Sequence, residues 1–169
     1  MNPYTDAPGP GTAGGPRTGS RGPTATFSRS ATIDWTGDVP RGAGAVTAGT
    51  EAFSVPVTFP RLAGEPAGVT TPEELLAASH ATCFGIGLRS VIAQRGGTAR
   101  RVRVTATVTA EKGSGRIRIQ SSHLRGEVEG LAGVEPGALP EIARAAEEGC
   151  TITAAIRATV AISVEVTAV

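Results

Sequence analysis

The sequence predicts an α+β domain, and three observations carry that expectation. Apolar and polar residues alternate in "SATIDWT", "VRVTATVTAE", "RIRIQSSHLRGEVE" and "TVAISVEVTAV", the period of half-buried strands. Between Pro72 and Gln94 the period becomes helical instead. The strands are joined mainly by short turns, and no internal repeat is visible, so antiparallel sheets packed around helices are expected rather than repeating strand–helix units. At 169 residues the chain is long enough for one such domain with its own apolar core, and it needs no disulfide framework.

The elements follow in order. Residues 1–29 are dominated by Gly, Pro, Thr, Ser and Ala, cannot bury enough apolar surface to offset chain entropy, and read as a disordered tail. Residues 30–169 form the domain. "SATIDWT", "GAVTAGT" and "AFSVPVTF" predict three short strands separated by turn residues. Leu75, Leu76, Ala78, Ser79, Thr82, Cys83, Ile86, Leu88 and Ile92 then recur at helical spacing; Thr71 suits the N-cap, Pro72 the first turn, and the glycine pair 96–97 the end. Two alternating runs around "KGSG" predict a hairpin. "PGALPEIARAAEEGCTITAAIRA" reads as a helix interrupted at Gly149 and resumed as a short one, before a last strand, giving the order β-β-β-α-β-β-α-α-β.

Composition excludes several classes of function. The formal charge is +1, from 16 basic and 15 acidic residues, and no basic run exceeds "ARRVR", so there is no electrostatic footprint for nucleic acid. Arg, Glu or Gly interrupts the apolar segments before membrane-spanning length, and the N-terminus lacks the charged start and apolar stretch of a signal peptide. No membrane association is expected, and the cytoplasm is the default compartment. Structural disulfides are rare there, so the two cysteines, Cys83 and Cys150, read as reactive or incidental.

Each candidate residue also has a plainer reading. Free cysteine is often a small core hydrophobe, which would explain Cys83 within its apolar helix. Cys150 follows the glycine break and opens the next helix, where the backbone dipole favours thiolate. Two cysteines with His80 and His123 could supply four zinc ligands on paper, but there is no CxxC or HxxxH spacing and His123 lies in an alternating strand; no metal is expected. His80 stands one helical turn before Cys83, yet no oxyanion-hole signature accompanies the pair, so a helix histidine satisfied by a nearby acceptor is preferred. Glu73 fits the first turn of its helix by charge alone, and Arg41 fits an ordinary loop in "DVPRGAGAV". Together, however, a thiol, a guanidinium to lower its pKa and a carboxylate to hold the guanidinium make a minimal thiolate-activating set.

These residues carry a resemblance. "TTPEELLAASHATCFGIGLRSVIAQRGG" and "AEEGCTITAAIRATVAISVEV" resemble the two cysteine-bearing helices of the osmotically inducible protein C and organic hydroperoxide resistance family of thiol peroxidases. "ATIDWTGDVPRGAGAVTAGT" is similar to the opening strands of the osmotically inducible branch. The resemblance covers residues 30–169. It implies Cys83 as the peroxidatic thiol, Cys150 as the resolving thiol, Arg41 as the thiolate-stabilising cation and Glu73 as the partner of Arg41. It further implies sheets wrapped around two central helices in an intertwined homodimer, organic hydroperoxides as substrates in preference to hydrogen peroxide, a dithiol or other thiol as reductant, and no metal, haem or flavin. The chain departs from the family at Thr71, usually asparagine, and at Thr151, commonly proline. The alternative is a non-catalytic binder or stress-related protein of the same fold.

One geometric conflict bears on assembly. Glu73 and Cys83 are ten positions apart, so on a straight helix they stand about 15 Å apart. Either the helix bends near Ser79–His80, or the Glu73 and Arg41 serving one Cys83 come from a second copy. Open sheet edges and helices apolar on more than one face favour the second copy.

Overall fold

The computed structural model describes residues 25–39, 41–59, 68–113 and 115–169. The expected tail therefore falls largely outside the described residues. The chain divides into two units at Ser30–Ala31, and of the first only residues 25–30 are described. Within the described end of the first, the Arg29 guanidinium lies over the Phe27 ring and donates to the Ser28 carbonyl at 2.7 Å.

Among its described residues the second unit contains two three-stranded sheets and three α-helices. Strands β1 (Ala31–Thr36), β2 (Ala43–Ala48) and β3 (Ser54–Val57) form an antiparallel meander in the order β1-β2-β3. Its ties to the rest of the domain are concentrated where Thr58 N donates to Thr70 O at 3.0 Å and Thr70 N to Pro56 O at 2.9 Å. The helix that follows, α1 (Pro72–Gln94), starts where the sequence places it. Thr71 is the N-cap and accepts from the Glu74 amide, Pro72 occupies the first turn, and Glu73 and Glu74 put negative charge at the positive end of the dipole. It ends at Gly96, whose φ of +77° reverses the chain, and Gly97, where a Cβ would lie 1.9 Å from the Val134 side chain.

Strands β4 (Arg101–Lys112) and β5 (Ile117–Glu129) form the expected hairpin. After a 3-10 turn at Pro136–Ala138 come α2 (Leu139–Glu148), α3 (Thr151–Ile156) and β6 (Ala161–Ala168). The second sheet has the order β4-β5-β6, and here the expectation of antiparallel sheets needs correction: β6 runs parallel to β5. Residues 130–160 are a helical crossover that carries the chain back before β6 begins, so the two strands share a direction. Alternation of apolar residues, which is the same in either direction, could not reveal this.

The core lies between this sheet and the helices. His80, Phe84, Leu88 and Ile92, four apart along α1, form one fully buried stripe. The stripe packs with Leu124 and Val128 of β5 and with Leu139, Ile142, Ala143 and Ala146 from the start and inner face of α2. By length and composition α1 could cross a membrane. One stripe of it carries this core, and its buried histidine is hydrogen-bonded to neighbouring elements of the same domain.

Candidate active site

Both cysteines lie where α1 meets the start of α3. Cys83 is half-buried on α1, Cys150 is buried, and both are free thiols. Gly149 ends α2, and Cys150, in extended conformation, becomes the N-cap of α3, its Sγ accepting from the Thr153 amide at 3.4 Å. The next residue, Thr151, places its hydroxyl oxygen 3.5 Å from Cys83 Sγ.

These contacts set the chemistry of Cys83. Burial alone pushes its thiol pKa up, because a thiolate is poorly solvated there. Hydrogen bonds from the Thr151 hydroxyl, the Ile152 amide, the Cys150 thiol and the Thr151 amide act in the opposite direction, and together they hold the thiol below the ordinary cysteine value. The start of α3 thus collects donors on a sulfur belonging to α1.

A buried histidine fixes this arrangement. His80 Nδ1 is 2.8 Å from the Ser122 hydroxyl on β5, and Nε2 is 2.8 Å from the Thr153 hydroxyl on α3. One ring nitrogen donates and the other accepts, with the hydroxyls rotating to suit, so the neutral ring is fully satisfied. Burial lowers its pKa, only partly opposed by the Glu147 carboxylate. His80 and Cys83, one turn apart on α1, therefore meet Thr153 and Thr151 of α3. One of the two hydroxyls is the acceptor expected for His80, the other donates to the ring, and neither partner is Cys83.

Arg41 and Glu73 lie elsewhere. Arg41 closes a turn within the first sheet: its amide donates to the Asp38 carbonyl at 3.0 Å, and its guanidinium, 83% exposed, pairs with the Asp38 carboxylate at 2.7 Å. Glu73 is in the first turn of α1, a helix that runs without interruption through Ser79 and His80 to Gln94. One Glu73 carboxylate oxygen, Oε2, is buried with no hydrogen-bond partner among the described residues. The structure brings the two cysteines together and leaves the proposed cation and its carboxylate apart.

Two grooves flank α1. One, of about 500 Å³, lies between Phe53, Val55 and Val69 on one side and Leu75 and Ala78 on the other. The other, of about 600 Å³, runs along Thr82, Gly85, Ile86 and Arg89 toward Val102 and Val104 of β4. Cys83 lines neither.

Comparison with known proteins places this architecture. The family model described as OsmC-like protein matches residues 64–165. Over 135 residues the chain is 30% identical to Peroxiredoxin OsmC of Escherichia coli (strain K12), covering 79% of this chain and 92% of that protein. The organic hydroperoxide resistance protein OsmC of Legionella pneumophila superposes with a TM-score of 0.68 at 22% identity, covering 85% of this chain and 99% of that one. OhrB of Bacillus subtilis gives 0.65 at 24% identity, covering 83% and 98%. At these identities the two structures establish the shared fold.

Proposed function

The chain belongs to the OsmC-like family, and from that premise we propose that it is a cysteine-based peroxidase that reduces organic hydroperoxides to alcohols. The observation that carries this reading is the convergence of Cys83, Cys150 and the α3 donors, which together favour a thiolate on a half-exposed sulfur.

The chemistry proceeds in three steps. The Cys83 thiolate attacks the terminal oxygen of the hydroperoxide; an S–O bond forms, the O–O bond breaks, and the alkoxide takes up a proton and leaves as alcohol. The Cys150 sulfur then attacks the resulting sulfenic acid, giving the Cys83–Cys150 disulfide and releasing the hydroxyl as water. An external thiol, preferably a dithiol such as a reduced lipoyl group, exchanges with the disulfide and restores both thiols. The cycle fits a reducing compartment, the cytoplasm.

The reading includes a homodimer with composite sites. A buried carboxylate oxygen without a partner costs on the order of 1–3 kcal/mol. A guanidinium from a second copy would satisfy Glu73, and Arg41, exposed on a sheet whose faces are largely open in the single chain, is the group this reading assigns to it. The apolar grooves beside α1 give the second copy a place to pack.

The experiment is a thiol count before and after one equivalent of cumene hydroperoxide. Wild type should lose both thiols. Cys83→Ser should lose none and consume no peroxide, while Cys150→Ser should lose one, trappable by dimedone as sulfenic acid. Peroxide consumption undiminished in Cys83→Ser would remove the hypothesis.

A further inference from the structure

We propose that Thr151 is a thiolate-stabilising residue of this site, its hydroxyl donating directly to the reacting sulfur of Cys83. The proposal rests on the peroxidase reading only in taking Cys83 as the reacting thiol. It begins from which groups reach that sulfur within one chain. Arg41 is engaged by Asp38 in the first sheet, and the donors to Cys83 come from residues 150–152. Among these, Thr151 supplies two, a hydroxyl 3.5 Å from the sulfur and its own amide.

Nothing in the local fold requires a threonine here. Thr151 is exposed, so water could serve its hydroxyl, and burial does not force the contact with sulfur. It occupies the first position of α3, where a missing N–H is tolerated and proline is well accommodated. Cys150 before it has φ −78° and ψ 115°, a conformation compatible with a following proline. Helix initiation and thiol chemistry are therefore separable at this position. The His80–Thr153 bond two residues on holds α3 against α1, keeping the Thr151 hydroxyl over Cys83.

Hydrogen-bond donation to a thiolate has two consequences of opposite sign. It increases the thiolate fraction at neutral pH, and it reduces the intrinsic nucleophilicity of that thiolate, since nucleophilicity falls with pKa. Removing the hydroxyl should therefore slow the thiol at neutral pH and leave it as fast or faster once fully ionised. A merely structural role would depress the rate at every pH.

The test uses the Cys150→Ser chain, in which Cys83 is the sole thiol, and follows alkylation by iodoacetamide from pH 5 to 10, a readout independent of peroxide. Thr151→Val, which keeps the shape and the amide, should move the midpoint upward and slow alkylation at pH 7 by about three- to tenfold, with no loss of the high-pH plateau. Thr151→Ser should retain the starting profile, and Thr151→Pro, lacking both donors, should shift further than valine. Thr151→Ala provides a second hydroxyl deletion should the valine variant pack poorly. An unchanged midpoint in both Thr151→Val and Thr151→Ala, or a serine variant shifted as far as valine, would overturn the proposal. If wild type consumed no peroxide while Thr151→Val still moved the midpoint, the peroxidase reading would fall and the role of Thr151 toward Cys83 would stand.

Discussion

The two halves of this domain differ in how far one chain completes them. Around β4–β6 and the helices, the inward side chains are buried and a buried histidine has partners on both ring nitrogens. In the β1–β3 sheet and along the opposite side of α1, Ile33, Phe53 and Ile86 are 53%, 45% and 69% exposed, and the buried Glu73 oxygen lies at the same end of α1 to which that sheet is tied. The completed half holds the two thiols and their hydrogen-bond donors. The unfinished half holds the cation and carboxylate proposed to serve them. The proposed composite site would be divided along the line where a single chain stops satisfying its own surface.

The largest expected effects separate the halves by stability. Phe84 and Ile86 are near neighbours on α1 with opposite fates, one fully buried and one mostly exposed. Phe84→Ala should cost about 3–5 kcal/mol by transfer and cavity terms, whatever the state of assembly, as measured by urea denaturation. Ile86→Glu should change the stability of a lone chain by no more than about 0.5 kcal/mol. It should nevertheless convert the proposed homodimer to monomer in sedimentation analysis. A variant that remained dimeric would place the interface away from this side of α1.

An intermediate effect concerns activity. Cys83→Ser and Arg41→Ala, each inactive or nearly so, should recover part of the peroxidase activity when unfolded together and refolded. A heterodimer with composite sites contains one site in which both residues are intact. A mixture that stayed inactive despite proven heterodimer formation would place the two residues in a single subunit.

Much of the fold was legible because its signals are local. Thr71 and Pro72 start α1, the glycine pair ends it, the two alternating runs pair as a hairpin, and Gly149 separates α2 from α3 as the sequence indicates. The direction of β6 was not legible, since pairing direction depends on the crossover and not on the strand. The site divided in the same way. The two cysteines were found by type and helical context. The Ser122 and Thr153 hydroxyls were not, because they reach His80 from 42 and 73 positions away, and Thr151 registered in sequence only as a substitute for proline. Polar residues in an alternating strand or on a short helix carry no mark of what they will face. The one signal in the sequence is His80 itself, since a histidine on an apolar helix requires a polar partner for each ring nitrogen.

The smallest effect tests whether the completed half stands by itself. His80 faces Ser122 from β5 and Thr153 from α3, and the charge that acts on it is Glu147 of α2, itself paired with Arg157 at 3.0 Å. Burial lowers the histidine's folded-state pKa, with Glu147 opposing less strongly. The unfolded chain therefore takes up a proton first as pH falls below the ordinary histidine value of about 6.5. In that window the unfolded state binds more protons than the folded one, so stability is fully present above it and is lost as pH falls toward the folded pKa, at no more than about 1.4 kcal/mol per pH unit. His80→Gln can still bridge two hydroxyls but cannot titrate, and it should flatten the stability profile between pH 7 and 5.5. Because every partner of the ring belongs to the same chain, the wild-type slope should be independent of protein concentration, and it should persist in the Ile86→Glu monomer. A slope that vanished on dissociation would mean that His80, too, depends on the second copy, and the boundary between the completed and unfinished halves would have to be redrawn through α1.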